Sequence, residues 1–296
     1  MGRGNAAACY RELGAAMRRL REAAGLSGRQ IGHKTKWDPT RISRMESGQV
    51  NIDVADLCWY LGILRVDRDV AVPLIDLCRR AKAQKGHWLS EHGEWVPDTL
   101  SSLIYHEAMA NMSVHYEPQL VPGLLQTARY ARAMIGRQSW LSMAEIEAGV
   151  LLRLDRQRIL ARRDCRFVFY IHEHVLRLQV DSAAVMYEQM VALTLAGALP
   201  NVELRIVPAS AGEQSALGEA FRLFEFEDYN PLVHLELFAT SLWFEESGYV
   251  EPYRGLIAGL AKTADGAEES RSSIAALADK YDRGSILHAA AQLEEE

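Results

Sequence analysis

Residues 26–48, LSGRQIGHKTKWDPTRISRMESG, constrain the fold more than any other stretch of this chain. They read as a short helix, a tight turn and a second helix. Ser27 is placed to cap the first helix, with Ile31 on its inner side. Asp38 stands directly before Pro39, the pairing of an N-cap with a first helical residue whose missing N–H costs nothing there. In the second helix Ile42 and Met45 are three apart and share an apolar side, while Thr40, Arg41, Ser43 and Arg44 lie away from it. Gly48 closes the helix as a left-handed glycine does. An exposed helix bearing arginines and hydroxyls, braced by a short partner, is the arrangement that enters the DNA major groove.

The flanks extend this unit. From Tyr10 to Ala24, Leu13, Met17 and Leu20 recur at helical spacing until Gly25 stops the pattern. Val54 to Leu64 reads as a further helix with Leu57, Leu61 and Leu64 on one side. A bundle of four or five short helices over residues 8–80 is the expectation.

The run RRLREAAGLSGRQIG followed by RISRMESG resembles the phage-repressor-like (Cro/C1, or XRE) helix-turn-helix family, whose ending S-R-x-E-x-G falls on Ser43 to Gly48. The resemblance implies a lambda-repressor-like helical bundle. It implies a structural pair between a helix-one arginine and a glutamate of the recognition helix, here Arg21 and Glu46. It implies base contacts from Pro39, Thr40, Arg41 and Arg44, and phosphate contacts from Ser43 and Gln49. One position departs. The family's second helix usually opens with a glutamine that touches DNA, and here that position is Gly28, leaving Arg29 or Gln30 to substitute.

Charge agrees with a double-stranded DNA partner. Residues 1–48 carry ten Lys/Arg and four acids, a net +6, in a chain whose formal total is -6, so the remainder carries -12. A basic end on an acidic body is the asymmetry expected when one face meets phosphate. Arg18, Arg19, Arg29, Lys34 and Lys36 are candidates for backbone contacts.

With 296 residues the chain has room for a second, larger domain. No apolar run reaches the length of a membrane span, the N-terminus lacks the apolar core of a signal peptide, and Cys9, Cys58, Cys78 and Cys165 are scattered without a C-x-x-C. These features predict a cytoplasmic protein with free thiols and no membrane partner. Residues 81–98 mix Lys, Gly, His and Trp without period and read as a connector, or as a surface-laid segment holding two domains together.

From residue 99 to 283 helical and alternating stretches follow one another, and 284–296 is an acidic tail expected to fray. Helices are expected after Pro122-Gly123, over Met143 to Arg163, over Ala183 to Ala198, and in two stretches beyond Ser247. CRFVFYIHE, NVELRIVPA, FRLFEFED and LVHLELF alternate like strands, with a hairpin expected through Tyr229-Asn230-Pro231. The expected fold class is an all-α bundle followed by an α+β domain with a helix-covered sheet. VPGLLQT (Val121 to Thr127), RLDRQRIL, FVFYIHEHVLR, PNVELRIVP and GEAFRLFEFE together resemble the DUF5753-type domain that follows XRE domains in Scr1/WhiJ-like actinobacterial regulators. That resemblance implies a small acidic partner protein encoded nearby, and roles in development, secondary metabolism or an antitoxin-like pair. Dimerisation is expected because one small domain covers only one half-site.

Enzymatic readings are weak. His172-Glu173-His174 is not H-E-x-x-H, and two histidines make a poor metal site. The chain carries no G-x-S-x-G and no Walker-type loop. No enzyme activity, metal or cofactor is therefore expected. Glu245-Glu246 beside Trp243 and Phe244 reads either as an acid pair in a pocket or as a solvated loop, the latter favoured. Pro122-Gly123 reads as a tight turn or as an anion cradle. Strand stretches apolar on both faces predict either a sheet covered on both sides or one face left for a ligand or partner. Tyr170, His172, Phe224, Phe226 and Trp243 are the candidates for such a face.

Overall fold

A computed structural model describes residues 7–83, 87–91, 97–138, 141–215, 218–237 and 240–295. The helices are α1 (Ala8–Ala23), α2 (Gly28–Thr35), α3 (Pro39–Glu46), α4 (Val54–Leu64), α5 (Arg68–Ala83), α6 (Pro97–Met109), α7 (Ala128–Ile135), α8 (Met143–Arg156), α9 (Glu173–Arg177), α10 (Ala183–Ala196), α11 (Ser247–Thr263) and α12 (Ala267–Glu295). The strands are β1 (His87–Glu91), β2 (Met112–Glu117), β3 (Arg166–His172), β4 (Val202–Val207), β5 (Phe221–Glu225), β6 (Leu232–Glu236) and β7 (Thr240–Phe244). The chain forms two compact units: Met1–Met109 with Glu225–Val250, and Ala110–Phe224 with Glu251–Glu296.

The first unit holds the helical bundle. Its core is Leu13, Met17, Ile31, Ile42, Leu57 and Tyr60, each at most 1 % exposed. The segment read as a periodless connector contains a strand: β1 pairs antiparallel with β7 from His87↔Phe244 to Glu91↔Thr240, and β7 pairs with β6. Trp243, a candidate for a partner face, is buried in β7 with Phe226, Tyr105, His106 and His234 also in this unit.

Glu245 is not in a solvated loop. Its carboxylate accepts the Ala8 N–H at 3.0 Å and lies 3.4 Å from Arg11 Nη1. Ala7, the N-cap of α1, has no side-chain acceptor to offer, so Glu245 does that work from far along the chain. Arg11 is buried beneath the rings of Tyr229 and Phe226, 4.3 and 5.2 Å from their centroids.

The second unit is built on β2, β3 and β4, which pair in parallel from Met112↔Arg166 and Phe167↔Val202 onward, with β5 beside β2. Parallel strands joined through helices are covered on both faces. Accordingly Phe167, Val168, Phe169, Tyr170 and Ile171 are all buried. Tyr170 and Phe224 therefore belong to the interior and present no open partner face. The core brings Phe167, Phe169, Ile171, Met186, Met190 and Ile274 together.

The VPGLLQT stretch is a structural knot. Gln126 Nε2 donates to the Val121 carbonyl at 2.7 Å, and its Oε1 accepts from Arg153 at 2.6 Å. Gln189 binds the Leu125 carbonyl and accepts the Thr127 N–H, at 2.7 and 2.8 Å. Gly123 to Leu125 make a one-turn 3-10 segment with Pro122 at its N-cap, a tight turn. The stretch from Gln157 to Ala161, expected to continue α8, tightens into a 3-10 turn, and residues 284–295, expected to fray, continue α12.

Candidate nucleic-acid interface

Local chemistry fixes both helices of the motif. Ser27 Oγ accepts the Gln30 N–H at 3.3 Å while Gln30 Oε1 accepts the Ser27 N–H at 2.8 Å, a reciprocal capping box at the start of α2. Gln30, a candidate for DNA contact, thus has its side-chain oxygen engaged. Asp38 Oδ1 accepts the Thr40 N–H at 2.7 Å and Pro39 follows at the first helical position of α3. That hydrogen bond to the Thr40 backbone holds the Asp38 carboxyl below its ordinary range. Gly48 has φ +72°, and the Gln49 N–H returns to the Arg44 carbonyl at 2.8 Å, ending the helix.

Arg21 and Glu46 clamp α1 to α3. Arg21 Nε and Nη2 donate to the two Glu46 oxygens, each at 2.7 Å, in a fork-to-fork pair. Arg21 Nη1 also reaches the Leu26 carbonyl at 2.7 Å, and the buried Tyr60 hydroxyl donates to Glu46 at 2.8 Å. The Glu46 hydrogen bonds raise the Arg21 pKa. Gly14 completes the seam and was not singled out in the sequence. A Cβ there would lie 2.4 Å from the Met45 carbonyl oxygen and 2.7 Å from that of Glu46. A glycine in the middle of an amphipathic helix was the available signal, because it costs helix stability and marks a close approach.

With its inner side fixed, α3 leaves Pro39, Thr40, Ser43 and Arg44 exposed, and Arg29, Gln30, Lys34, Lys36 and Gln49 are exposed around it. Arg41 is different. Its guanidinium lies over the Trp37 ring, 4.5 Å from the centroid, and forms an ion pair with Asp56 of α4. Only Nη2 is engaged there and the side chain is 41 % exposed, so a base contact from Arg41 shares the guanidinium with Asp56 or draws it away, and no sequence motif drew attention to that acid. Gly28 faces open space, so the first position of α2 offers no side chain to DNA. Arg18 pairs with Glu22 at 2.9 Å.

Elsewhere, His172 caps α9: its Nδ1 accepts the His174 N–H at 3.1 Å. Among the described residues no three metal-ligating side chains cluster, and no helix is long and apolar enough to cross a membrane.

A solved structure reported as "Structure of TrmBL2, an archaeal chromatin protein, shows a novel mode of DNA binding" is similar to this chain at 9% identity and a TM-score of 0.28, over 84% of this chain and 93% of that one. A likeness at that level carries no argument. No curated protein matches the chain. A helix-turn-helix family model matches residues 12–71, the bundle containing α2 and α3. A second model, described as Domain of unknown function (DUF5753), matches residues 100–276, more than half of the sequence, and the chain belongs to that family, with a helix-turn-helix domain ahead of it.

Proposed function

We propose that this protein is a sequence-specific DNA-binding transcriptional regulator acting as a homodimer. The observation that carries the reading is α3, whose Thr40, Ser43 and Arg44 are exposed while Ile42, Met45 and the Arg21–Glu46 clamp fix its other side. Thr40 and Arg44 face base edges, and an arginine fork on guanine is the commonest specific contact. Ser43, Gln49, Arg29, Lys34 and Lys36 take phosphates. Arg41 joins the base readers by sharing its guanidinium with Asp56 or by leaving it. Two copies on a two-fold operator follow from the half-site a single motif covers.

The test is selection from a randomised duplex library, then footprinting of the enriched site across a salt series. A protected palindrome with a steep salt slope is the expected result. Arg44→Ala costs about 1–3 kcal/mol of binding and relaxes preference at one base pair. Equal binding to every duplex would defeat the sequence-specific reading, and a uniform loss in Arg44→Ala would assign Arg44 to phosphate.

The family resemblance extends this proposal to a small acidic partner protein. Its alternatives are an antitoxin-like protein that chiefly sequesters that partner, and a small-molecule-sensing regulator. Mixing the protein with the product of an adjacent small gene tests the first: a stable complex that changes DNA affinity favours the antitoxin-like reading, in which DNA binding serves autoregulation, and the absence of a stable complex counts against it.

A further inference from the structure

Helix α1 works on two sides. Gly14 and Arg21 face α3. Another side, carrying Ala16, Arg19 and Ala23, borders a cleft of about 440 Å³ closed by α5 and α6. The size lies within the roughly 300–1,000 Å³ range of small-molecule sites. Its lining divides by chemistry. Ala16, Leu74 and Leu77 are apolar, whereas Arg19 and Arg80 bring two guanidinium groups. The acid in the cleft, Glu12, accepts the Ser102 hydroxyl at 2.8 Å. Arg80 lines the cleft although its Nε is itself enclosed by protein, and neither arginine has a carboxylate partner among the described residues. The planar fork of a guanidinium group matches a carboxylate.

We propose that this cleft binds an amphipathic monocarboxylate of the medium-chain fatty-acid class, its carboxylate on Arg80 and Arg19 and its chain over Ala16, Leu74 and Leu77. The occupant touches the same helix that Arg21 clamps to Glu46, so it bears on the setting of α3. That regulatory consequence rests on the DNA-binding reading. The site itself does not, and its test uses no DNA.

The full-length protein is titrated with decanoate, 1-decanol and decyltrimethylammonium, following melting temperature and heat of binding. Decanoate alone is expected to raise the melting temperature, since a ligand held by the native state stabilises it by mass action. Arg80→Met is expected to weaken decanoate binding by about tenfold or more, with Arg80→Lys partly restoring it. Ala23→Trp, at an exposed position on the cleft wall, is expected to block binding without disturbing the core. Equal shifts from all three probes, no binding of decanoate, or unchanged binding in both Arg80→Met and Ala23→Trp would overturn the proposal. The three-probe comparison needs only the wild-type chain, so it discriminates even where Arg80→Met folds poorly. Absence of operator binding by the ligand-free protein, with decanoate binding intact, would strike the regulator reading and spare this one.

Discussion

The two ends of helix α1 are each tied by a buried arginine–glutamate pair, and the pairs are built in opposite ways. At the carboxyl end Arg21 meets Glu46 through two 2.7 Å bonds, and those bonds strengthen its hold on the proton. At the amino end Arg11 Nη1 lies 3.4 Å from Glu245, whose carboxylate also accepts the Ala8 N–H. There burial dominates, lowering the Arg11 pKa and raising that of Glu245. The first pair gains from being charged, and the second carries its charges at a cost that the Tyr229 and Phe226 rings help to offset. Burial alone does not make an ion pair stabilising; geometry and accompanying hydrogen bonds do.

The largest effect that tests this contrast is at the strong end. Glu46→Ala should cost about 3 kcal/mol in urea unfolding, because Arg21 and the Tyr60 hydroxyl lose their shared acceptor. A cost no larger than that of a surface substitution would erase the distinction. Midway along α1, Gly14→Ala should cost about 2 kcal/mol by forcing two backbones apart. It should also reduce DNA binding more than stability alone explains, since α3 shifts with the seam. A variant as stable as wild type would mean that α1 and α3 do not approach as closely in solution.

The weak end responds to pH. His106 is fully buried, and neither ring nitrogen has a hydrogen-bond partner among the described residues. Glu12 is 3.8 Å away, too far for a hydrogen bond. Burial, then Arg11 and His234, hold the His106 pKa well below its ordinary 6.5. The ring stays neutral in the fold while the unfolded chain takes up a proton below pH 6.5. The stability tied to His106 is thus complete above that value and is lost as pH falls beneath it, at up to about 1.4 kcal/mol per pH unit. Urea midpoints at pH 7.5 and 5.5 for wild type and His106→Gln check this: the wild-type drop should exceed the variant's, and parallel drops would exclude His106 as the source. Glu245 acts in the reverse sense, its raised pKa adding stability as pH falls through it. The smallest effect follows. Glu245→Gln keeps an acceptor for the Ala8 N–H but takes the carboxylate from the buried Arg11 charge, so it should cost about 1–2 kcal/mol, less than Glu46→Ala. A loss equal to that of Glu46→Ala would make the two ends equivalent.

How much of this was legible depends on chain distance. The caps of α2 and α3 were readable because Ser27, Gln30, Asp38, Pro39 and Gly48 act within a few residues of their targets. The recurrence of Leu57, Leu61 and Leu64 located α4 for the same reason. Glu245 was misread as a solvated loop residue because its partners, Ala8 and Arg11, are 237 and 234 positions away. Strand β1 was hidden because its five residues gain their order from pairing with β7, not from a pattern of their own. Tyr170 and Phe224 looked available because alternation assigns a residue to a face and is silent on what covers that face. At the candidate interface, no sequence motif marks Asp56, whose pairing with Arg41 changes what that arginine is free to do.

Gly14 and Gly48 give the interface an uneven freedom to change. Cβ atoms at both positions collide with backbone, at 2.4 Å from Met45 and 2.7 Å from Arg11, so no neighbouring side chain can yield to admit them. Positions 40, 43 and 44, one helix face away, are open to solvent. Mutational drift is therefore blocked along the seam between α1 and α3 and permitted on the exposed face of α3. A lineage of such proteins can exchange one DNA vocabulary for another while the frame that presents it stays the same.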